Sequence, residues 1–298
     1  MTWLIIYTPK NQERCSELKG FFKRNKISAK VAELEKDADF LPSEIPAKLK
    51  LYTHCVFLCD KAPGKNEALA WGLALGRGLM VYALKSEWTK QLQKCGSLND
   101  FESFDRLLAY LENNINGIAL ESKKKEAWKK LFDTGNPFTG DSLSIHVQKD
   151  NRDIVQTYID AGMSLNERTS LGVPMLNVAI RAEQVDEVKW MLEQDLDLDA
   201  VSNDRGYSAL MDCVWKKNLE LTKILVEKKV NLDFVSNDNQ SALTLAVGAG
   251  NAELVKILSD AGACPDKFDA LGMSAWTYAK LFKRQDLLEL MEKNHHGQ

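Results

Sequence analysis

No run of about eighteen apolar residues occurs in the sequence, so no segment is expected to cross a bilayer as a helix. The start, MTWLIIYTPKNQERC, lacks both a basic leader and a long apolar stretch. Its WLIIY reads as a strand rather than a secretion signal. Histidine is scarce: four occur in 298 residues, two of them adjacent at His295 and His296. That leaves little from which to build a zinc site, and no metal site is expected. The six cysteines (Cys15, Cys55, Cys59, Cys95, Cys213 and Cys264) are scattered and mostly fall on apolar faces. They read as reduced thiols of a bacterial cytoplasmic protein. Lys61 and Lys65 flank Gly64 without the spacing of a phosphate loop, and no cofactor is expected.

Excess charge of one sign is confined to one half. Residues 1–120 carry 17 basic and 14 acidic side chains, whereas 141–298 carry 17 and 25. An acidic C-terminal half argues against nucleic acid as its partner and suits a protein with a basic surface.

What fills that half is repetition. Ser241 to Ala263 (SALTLAVGAGNAELVKILSDAGA) reads as two short amphipathic helices separated by Gly248-Ala249-Gly250-Asn251. Neither is long enough to be stable alone, so each needs a neighbour of its own kind. The pattern occurs also from Asp141, Pro174 and Ser208, and it starts again at Ser274. The starts lie about 33 residues apart, the period of ankyrin repeats, each a β-turn plus two antiparallel helices. The chain resembles that family at the turn residues Gly172, Gly206, Asn239 and Gly272, since asparagine tolerates left-handed backbone better than other non-glycine residues. It resembles it also at the hydroxyls Ser208, Ser241 and Ser274, and at the small residues Ala179, Cys213, Ala246 and Ala279. The family's motif histidine is missing throughout. His146 replaces the small residue in the first unit, as suits a capping repeat.

The N-terminal half alternates strands and helices. Apolar runs predict strands at Trp3–Tyr7, Ser28–Leu34, His54–Cys59 and Leu79–Leu84. Cys55 and Cys59 fall on one face of the third. Helices are predicted from Asn11, its cap, to Lys23, then briefly around Ile45 and Leu49, over Asn66–Leu75, and over Phe104–Leu111. The fold class is therefore an α/β domain with a parallel sheet covered on both sides, joined to an all-α solenoid of about five units. The expected divisions are 1–118 for the sheet domain, 119–137 for a linker, and 138–298 for the array. The linker helix, Glu121–Phe132, is basic and is expected to dock Trp128, Leu131 and Phe132 on the first repeat.

In such a sheet ligands bind at the carboxyl ends of the strands. That edge carries Tyr7, Thr8, Pro9, Asp60, Lys61 and Lys65, a candidate pocket for a nucleotide-like ligand. Asp60, Gly72, Ala74, Gly78 and Val81 resemble the nucleoside 2-deoxyribosyltransferase family and, more distantly, Toll/interleukin-receptor-type NAD hydrolases. The resemblance implies a flavodoxin-like sheet and glycosidic-bond chemistry, with Asp60 and Glu67 as the candidate catalytic carboxylates. The departure is that Ala70 stands where the family has its catalytic glutamate. Glu67 lies one helical turn earlier, about 5 Å away, more than a nucleophile can be displaced without compensation. The expectation is a degenerate enzyme scaffold, or pseudoenzyme.

Resemblance to ankyrin proteins implies that turn tips and inner helices form a surface that captures a protein partner, by binding or inhibition. The alternative is an enzyme acting on a nucleoside or NAD, with the array as a targeting arm. The candidate contacts are Arg181, Asp204, Arg205, Tyr207, Asp212, Trp215, Lys216, Asp238 and Gln240, rich in residue types that dominate binding energy. Trp215 either meets a partner or fills a gap between units. The third unit is the expected centre of the site and the plain fourth unit a spacer.

Overall fold

A computed structural model of the chain describes residues 2–34, 49, 51–59, 65–92 and 97–296, with backbone alone at 65–67, 87, 88 and 91. It divides into two compact units, Met1–Lys125 and Glu126–Gln298.

In the first unit β1 (Thr2–Tyr7), β2 (Ser28–Glu33), β3 (His54–Leu58), β4 (Met80–Leu84) and β5 (Leu98–Phe101) form one sheet in the order β2-β1-β3-β4-β5. Every pairing is parallel. Alternation sends successive side chains to opposite faces. Leu4, Ile6, Cys55, Phe57, Val81 and Ala83 pack with Ala70, Trp71 and Ala74 of α2 (Lys65–Gly76). Trp3, Ile5, Val56, Leu58 and Tyr82 pack with Leu18, Phe21 and Phe22 of α1 (Gln12–Arg24). His54 is buried and stacks on Trp3 with ring centroids 4.6 Å apart. Burial pushes its pKa down to about 4, so it is a neutral core residue.

Four expectations are corrected here. Strand β5 has no alternating apolar run; it holds its place as a half-buried edge paired to β4 alone. Asn11 makes no capping bond: its Oδ1, the atom a cap would use, accepts from Arg14 Nη1 at 3.0 Å, and its Nδ2 donates to Thr8 Oγ1 at 3.0 Å. The helices expected at Phe104–Leu111 and Glu121–Phe132 are one, α4 (Phe104–Asp133), after the short α3 (Glu87–Leu92). Glu112-Asn-Asn-Ile-Asn-Gly117 reads as a break, yet Ile115 is buried and helix propensity yields to packing. Leu131 is buried as expected and Trp128 lies against Phe138 at 4.1 Å, but Phe132 is 84% exposed. The helix expected around Ile45 lies outside the described residues.

Among the described residues the second unit holds, after the end of α4, five helix pairs: α5/α6 (Gly140–Gln148, Arg152–Asp160), α7/α8 (Met175–Arg181, Val185–Met191), α9/α10 (Ala209–Trp215, Leu219–Glu227), α11/α12 (Ala242–Gly248, Ala252–Asp260) and α13/α14 (Ala275–Leu281, Gln285–Met291). The serine hydroxyls act as N-caps: Ser208, Ser241 and Ser274 accept from the N–H groups of Met211, Thr244 and Thr277. Gly206 has φ +70° and Asn239 φ +58°, the left-handed turn that their places in the repeat require. Ala179, Cys213, Ala246 and Ala279 are fully buried where the pairs stack. Successive tips are tied by backbone bonds, Asn203 N–H to Gly172 C=O, Asn237 N–H to Arg205 C=O and Ala270 N–H to Asp238 C=O. Among the described residues no helix is long and apolar enough to cross a membrane.

Candidate functional site

The last turns of the inner helices carry the residues that distinguish one repeat from the next. Counted from the capping position, Arg181, Trp215, Gly248 and Leu281 are equivalent, as are Ala182, Lys216, Ala249 and Phe282. Stacking brings these positions from successive helices side by side.

Between the second and third pairs Arg181 is joined by charge not to its equivalent Trp215 but to Asp212, earlier on the same inner helix, and to Asp204 at the tip. Arg181 Nε donates to Asp212 Oδ2 at 2.8 Å, and its Nη1 donates to Asp204 Oδ2 at 2.7 Å. Arg181 Nη2 reaches Ser202 Oγ at 3.0 Å, and Asn177 Nδ2 donates to Asp212 Oδ2 at 2.7 Å. Asp212 is only 1% exposed. Burial pushes its pKa up, more than the bonds from Asn177 and Arg181 restore. Asp204 behaves oppositely. Burial raises it less than Arg181, Ser202 and the Arg205 N–H lower it, and its pKa falls to about 2. The difference is one of solvent: Asp204 keeps part of its hydration, whereas Asp212 has given up nearly all of it.

Of the candidate contacts, Asp212 and Tyr207 are buried, and Arg181 and the exposed Asp204 are engaged in the network. Lys216 is paired with Glu183 at 2.7 Å. Arg205, stacked 5.9 Å over Tyr207, and Asp238 are exposed, and Gln240 is half-buried.

On its other side the third pair faces open space. Trp215 is 56% exposed and braced edge-on by Tyr207, with centroids 6.2 Å apart. Beyond it Gly248 and Ala249 offer almost no side chain, and the next projections are Tyr278 and Phe282, 5.8 Å apart. The result is a cleft of about 410 Å³, walled by aromatics and floored by Gly248 and Ala249, with Leu245 and Thr244 beneath. Lys217 lies on one edge and Gln240 on the other. Tyr278 is fixed by donating to Asp269 Oδ2 at 2.7 Å. Asp269 also accepts from the N–H groups of Leu271 and Met273. A Cβ at Gly248 meets nothing within 4 Å, so the floor is empty rather than tightly packed. Sequence reasoning finds Trp215 and Gln240 but misses Gly248, Ala249, Tyr278 and Phe282. Aligning equivalent inner-helix positions is the signal that exposes them.

In the sheet unit Tyr7 Oη donates to Glu33 Oε2 at 2.7 Å, which, with burial, pushes its pKa up to about 12. Thr8 is buried and Pro9 opens a single 3-10 turn (Pro9–Asn11). Asp60 and Lys61 lie outside the described residues. Lys65 and Glu67 lie in the first turn of α2, and at these two residues the backbone alone is described. A cleft of about 500 Å³ does sit at the carboxyl ends of the strands, but Cys59, Leu84, Lys85 and Glu102 line it together with Glu13, Arg14 and Glu17 of α1. Tyr7, Thr8 and Pro9 do not. Glu102 is held ionised by Lys85 at 3.2 Å and Arg106 at 2.9 Å. Among the described residues no cluster of three or more His, Cys, Asp or Glu is arranged to hold a metal.

A family model of ankyrin repeats (three copies) matches residues 143–236 and 216–297. A putative ankyrin repeat-containing protein of Treponema pallidum (strain Nichols) is 30% identical over 250 residues, covering 80% of this chain and 81% of that protein. That alignment is longer than the whole array, so it takes in part of the sheet unit. The B-cell lymphoma 3 protein homolog of Mus musculus is 29% identical over 126 residues, 40% of this chain and 28% of that protein. The repeat spacing, the capped helix pairs and these matches together place the chain in the ankyrin-repeat family.

Proposed function

We propose that this chain captures a protein partner, as a binding or inhibitory module, on the inner-helix face of its third to fifth repeats. One observation carries the reading: two aromatic walls, Trp215 and Tyr278–Phe282, stand on either side of a floor without side chains. Such a cleft buries one large side chain of a partner between rings, the geometry in which a few residues supply most of the binding energy. The surface forms the array's share of the chain, 138–298 with 119–137 as connector.

The test fills the cleft without unfolding the repeat. Gly248→Leu places a side chain where a Cβ meets nothing, so stability is expected to change by less than about 1 kcal/mol. Proteins captured from the native host by the wild-type chain are expected to be lost by Gly248→Leu and by Trp215→Ala. Capture unchanged in both variants overturns the reading.

We further infer that the sheet unit is a deoxyribosyltransferase- or TIR-like scaffold that has lost its chemistry and keeps at most a nucleotide-shaped pocket. The strand order β2-β1-β3-β4-β5 supports the scaffold. The loss is supported by Ala70, which occupies the position of that family's glutamate and is fully buried in the apolar cluster of Phe57 and Trp71. Hydrolysis of a nucleoside or NAD by the purified chain, abolished in Asp60→Ala, would overturn it. The free thiols of Cys15, Cys55, Cys213 and Cys264 support a cytoplasmic site of action.

A further inference from the structure

The net charge of the array and the charge at the cleft point to opposite partners. Residues 141–298 are acidic by 8, which taken alone favours a basic surface. One edge of the cleft, at the C-terminal ends of the inner helices, is basic. Lys217 lines it, and Lys283 occupies the equivalent turn two repeats later, with Gly250 between them. Both lysines are exposed, and no ion pair engages either among the described residues. Their neighbours are spent: Lys216 on Glu183 and Arg284 on Asp286. On the opposite, tip edge Asp269 is consumed by Tyr278 and two backbone N–H groups, which leaves Asp238 as the exposed carboxylate beside Gln240.

Distance decides which field a bound segment meets. Exposed charges are largely screened beyond a Debye length, about 8 Å at physiological salt, so the rim outweighs the acidic residues on the outer helices. Rim lysines that a partner desolvates on docking also gain more from an opposite charge than fully hydrated ones do.

We infer that the cleft takes an acidic segment of its protein partner. One large apolar side chain is seated over Gly248 and Ala249, with carboxylates on both sides of that anchor meeting Lys217 and Lys283. The inference rests on the cleft being the partner site, and it adds the partner's chemistry. Inner helices pack roughly 8–10 Å apart, which sets Lys217 and Lys283 roughly 16–20 Å from each other. An extended segment covers that span in about five or six residues at about 3.3 Å each, so the carboxylates fall within about three residues of the anchor.

Three fluorescein-labelled peptides test it against the full chain by anisotropy at physiological salt. The first carries a central phenylalanine flanked by two glutamates on each side. The second replaces the glutamates by lysines, and the third replaces the phenylalanine by glycine. The glutamate peptide is expected to bind at least tenfold more tightly than either of the others. Its affinity is expected to drop at least fivefold in the Lys217→Glu/Lys283→Glu double variant and to be lost in Gly248→Leu. Both lysines are exposed, so the double variant is expected to melt as the wild type does. Equal or tighter binding of the lysine peptide, still lost in Gly248→Leu, overturns the acidic segment and leaves the cleft standing. So does failure of the glutamate peptide to bind while host-protein capture remains sensitive to Gly248→Leu. Glutamate-peptide binding unaffected by Gly248→Leu and Trp215→Ala overturns both readings.

Discussion

The third repeat meets its two neighbours by different means. Toward the second it offers Asp212 and Asp204, which close on Arg181 with bonds of 2.7–2.8 Å. Toward the fourth and fifth it offers Trp215, which meets only the bare floor of Gly248 and Ala249. The first side is largely buried and held by charge-assisted bonds, with Asp212 Oδ1 and Asn177 Oδ1 left unbonded among the described residues, so it specifies how two repeats stack. The second is open and apolar, so its interaction free energy is available to another molecule. Within one array, polar residues that look like recognition groups are bonded to the adjoining repeat, and the plainest repeat leaves an open cleft.

The comparison is tested most severely at Asp212. Replacing it by leucine leaves Arg181 Nε without its acceptor in a largely buried site, while Asn177 Nδ2 keeps the Tyr207 C=O at 3.1 Å; breaking a buried pair costs about 3–5 kcal/mol. Because Asp204 still holds Arg181, a loss near the lower end, about 3 kcal/mol, is expected in urea unfolding. If Asp212→Leu is neutral in stability but abolishes partner capture, the two sides of the repeat have been assigned the wrong roles.

A smaller effect separates interior turns from the terminal one. At Gly206 (φ +70°) an added Cβ falls 2.7 Å from the backbone nitrogen of Asn237 in the next repeat. Gly206→Ala is therefore expected to cost about 2–3 kcal/mol, strain and clash together. At Gly272 (φ +72°) the same atom meets nothing within 4 Å, so Gly272→Ala is expected to cost only about 1 kcal/mol of backbone strain. Parallel thermal melts of the two variants check the contrast, and equal shifts would mean that tip-to-tip contact contributes little.

The smallest expected effect is in pH dependence. Asp204 has a folded-state pKa near 2, below its ordinary 3.8. Its contribution is thus present above about pH 4 and lost as pH falls toward 2. Asp212, shifted upward, acts in the opposite sense and offsets part of this loss. Asp204→Asn is expected to flatten the fall of stability over that range. An unchanged acid slope would show that Arg181 draws its support from Asp212 alone.

Much of the array is legible in the residues. A hydroxyl that opens each inner helix, a left-handed residue at each tip and a small residue at each stacking point are local requirements, and local requirements leave local signals. Trp215 is legible as unusual for the same reason. The sheet's inner strands are legible because parallel strands buried on both faces are apolar throughout. Strand β5 is not, since pairing along one edge asks little of its side chains. The unbroken helix α4 is hidden by the polar stretch around Asn113 and Asn114, whose helical state is fixed by buried neighbours such as Leu111 and Ile115.

By itself, then, the sequence determined a helix-pair array behind a parallel α/β sheet, because a repeat's period and caps are written within each repeat. Only the tertiary structure decided what each distinctive residue does. Arg181 and Asp212 are 31 residues apart and meet because one repeat stacks on the next. Trp215 and Phe282 wall the same cleft across two repeats because Gly248 and Ala249 between them carry so little side chain. Whether a charged or aromatic residue on the inner helices binds a partner or binds its neighbour depends on what the adjoining repeat places opposite it, and no periodicity records that.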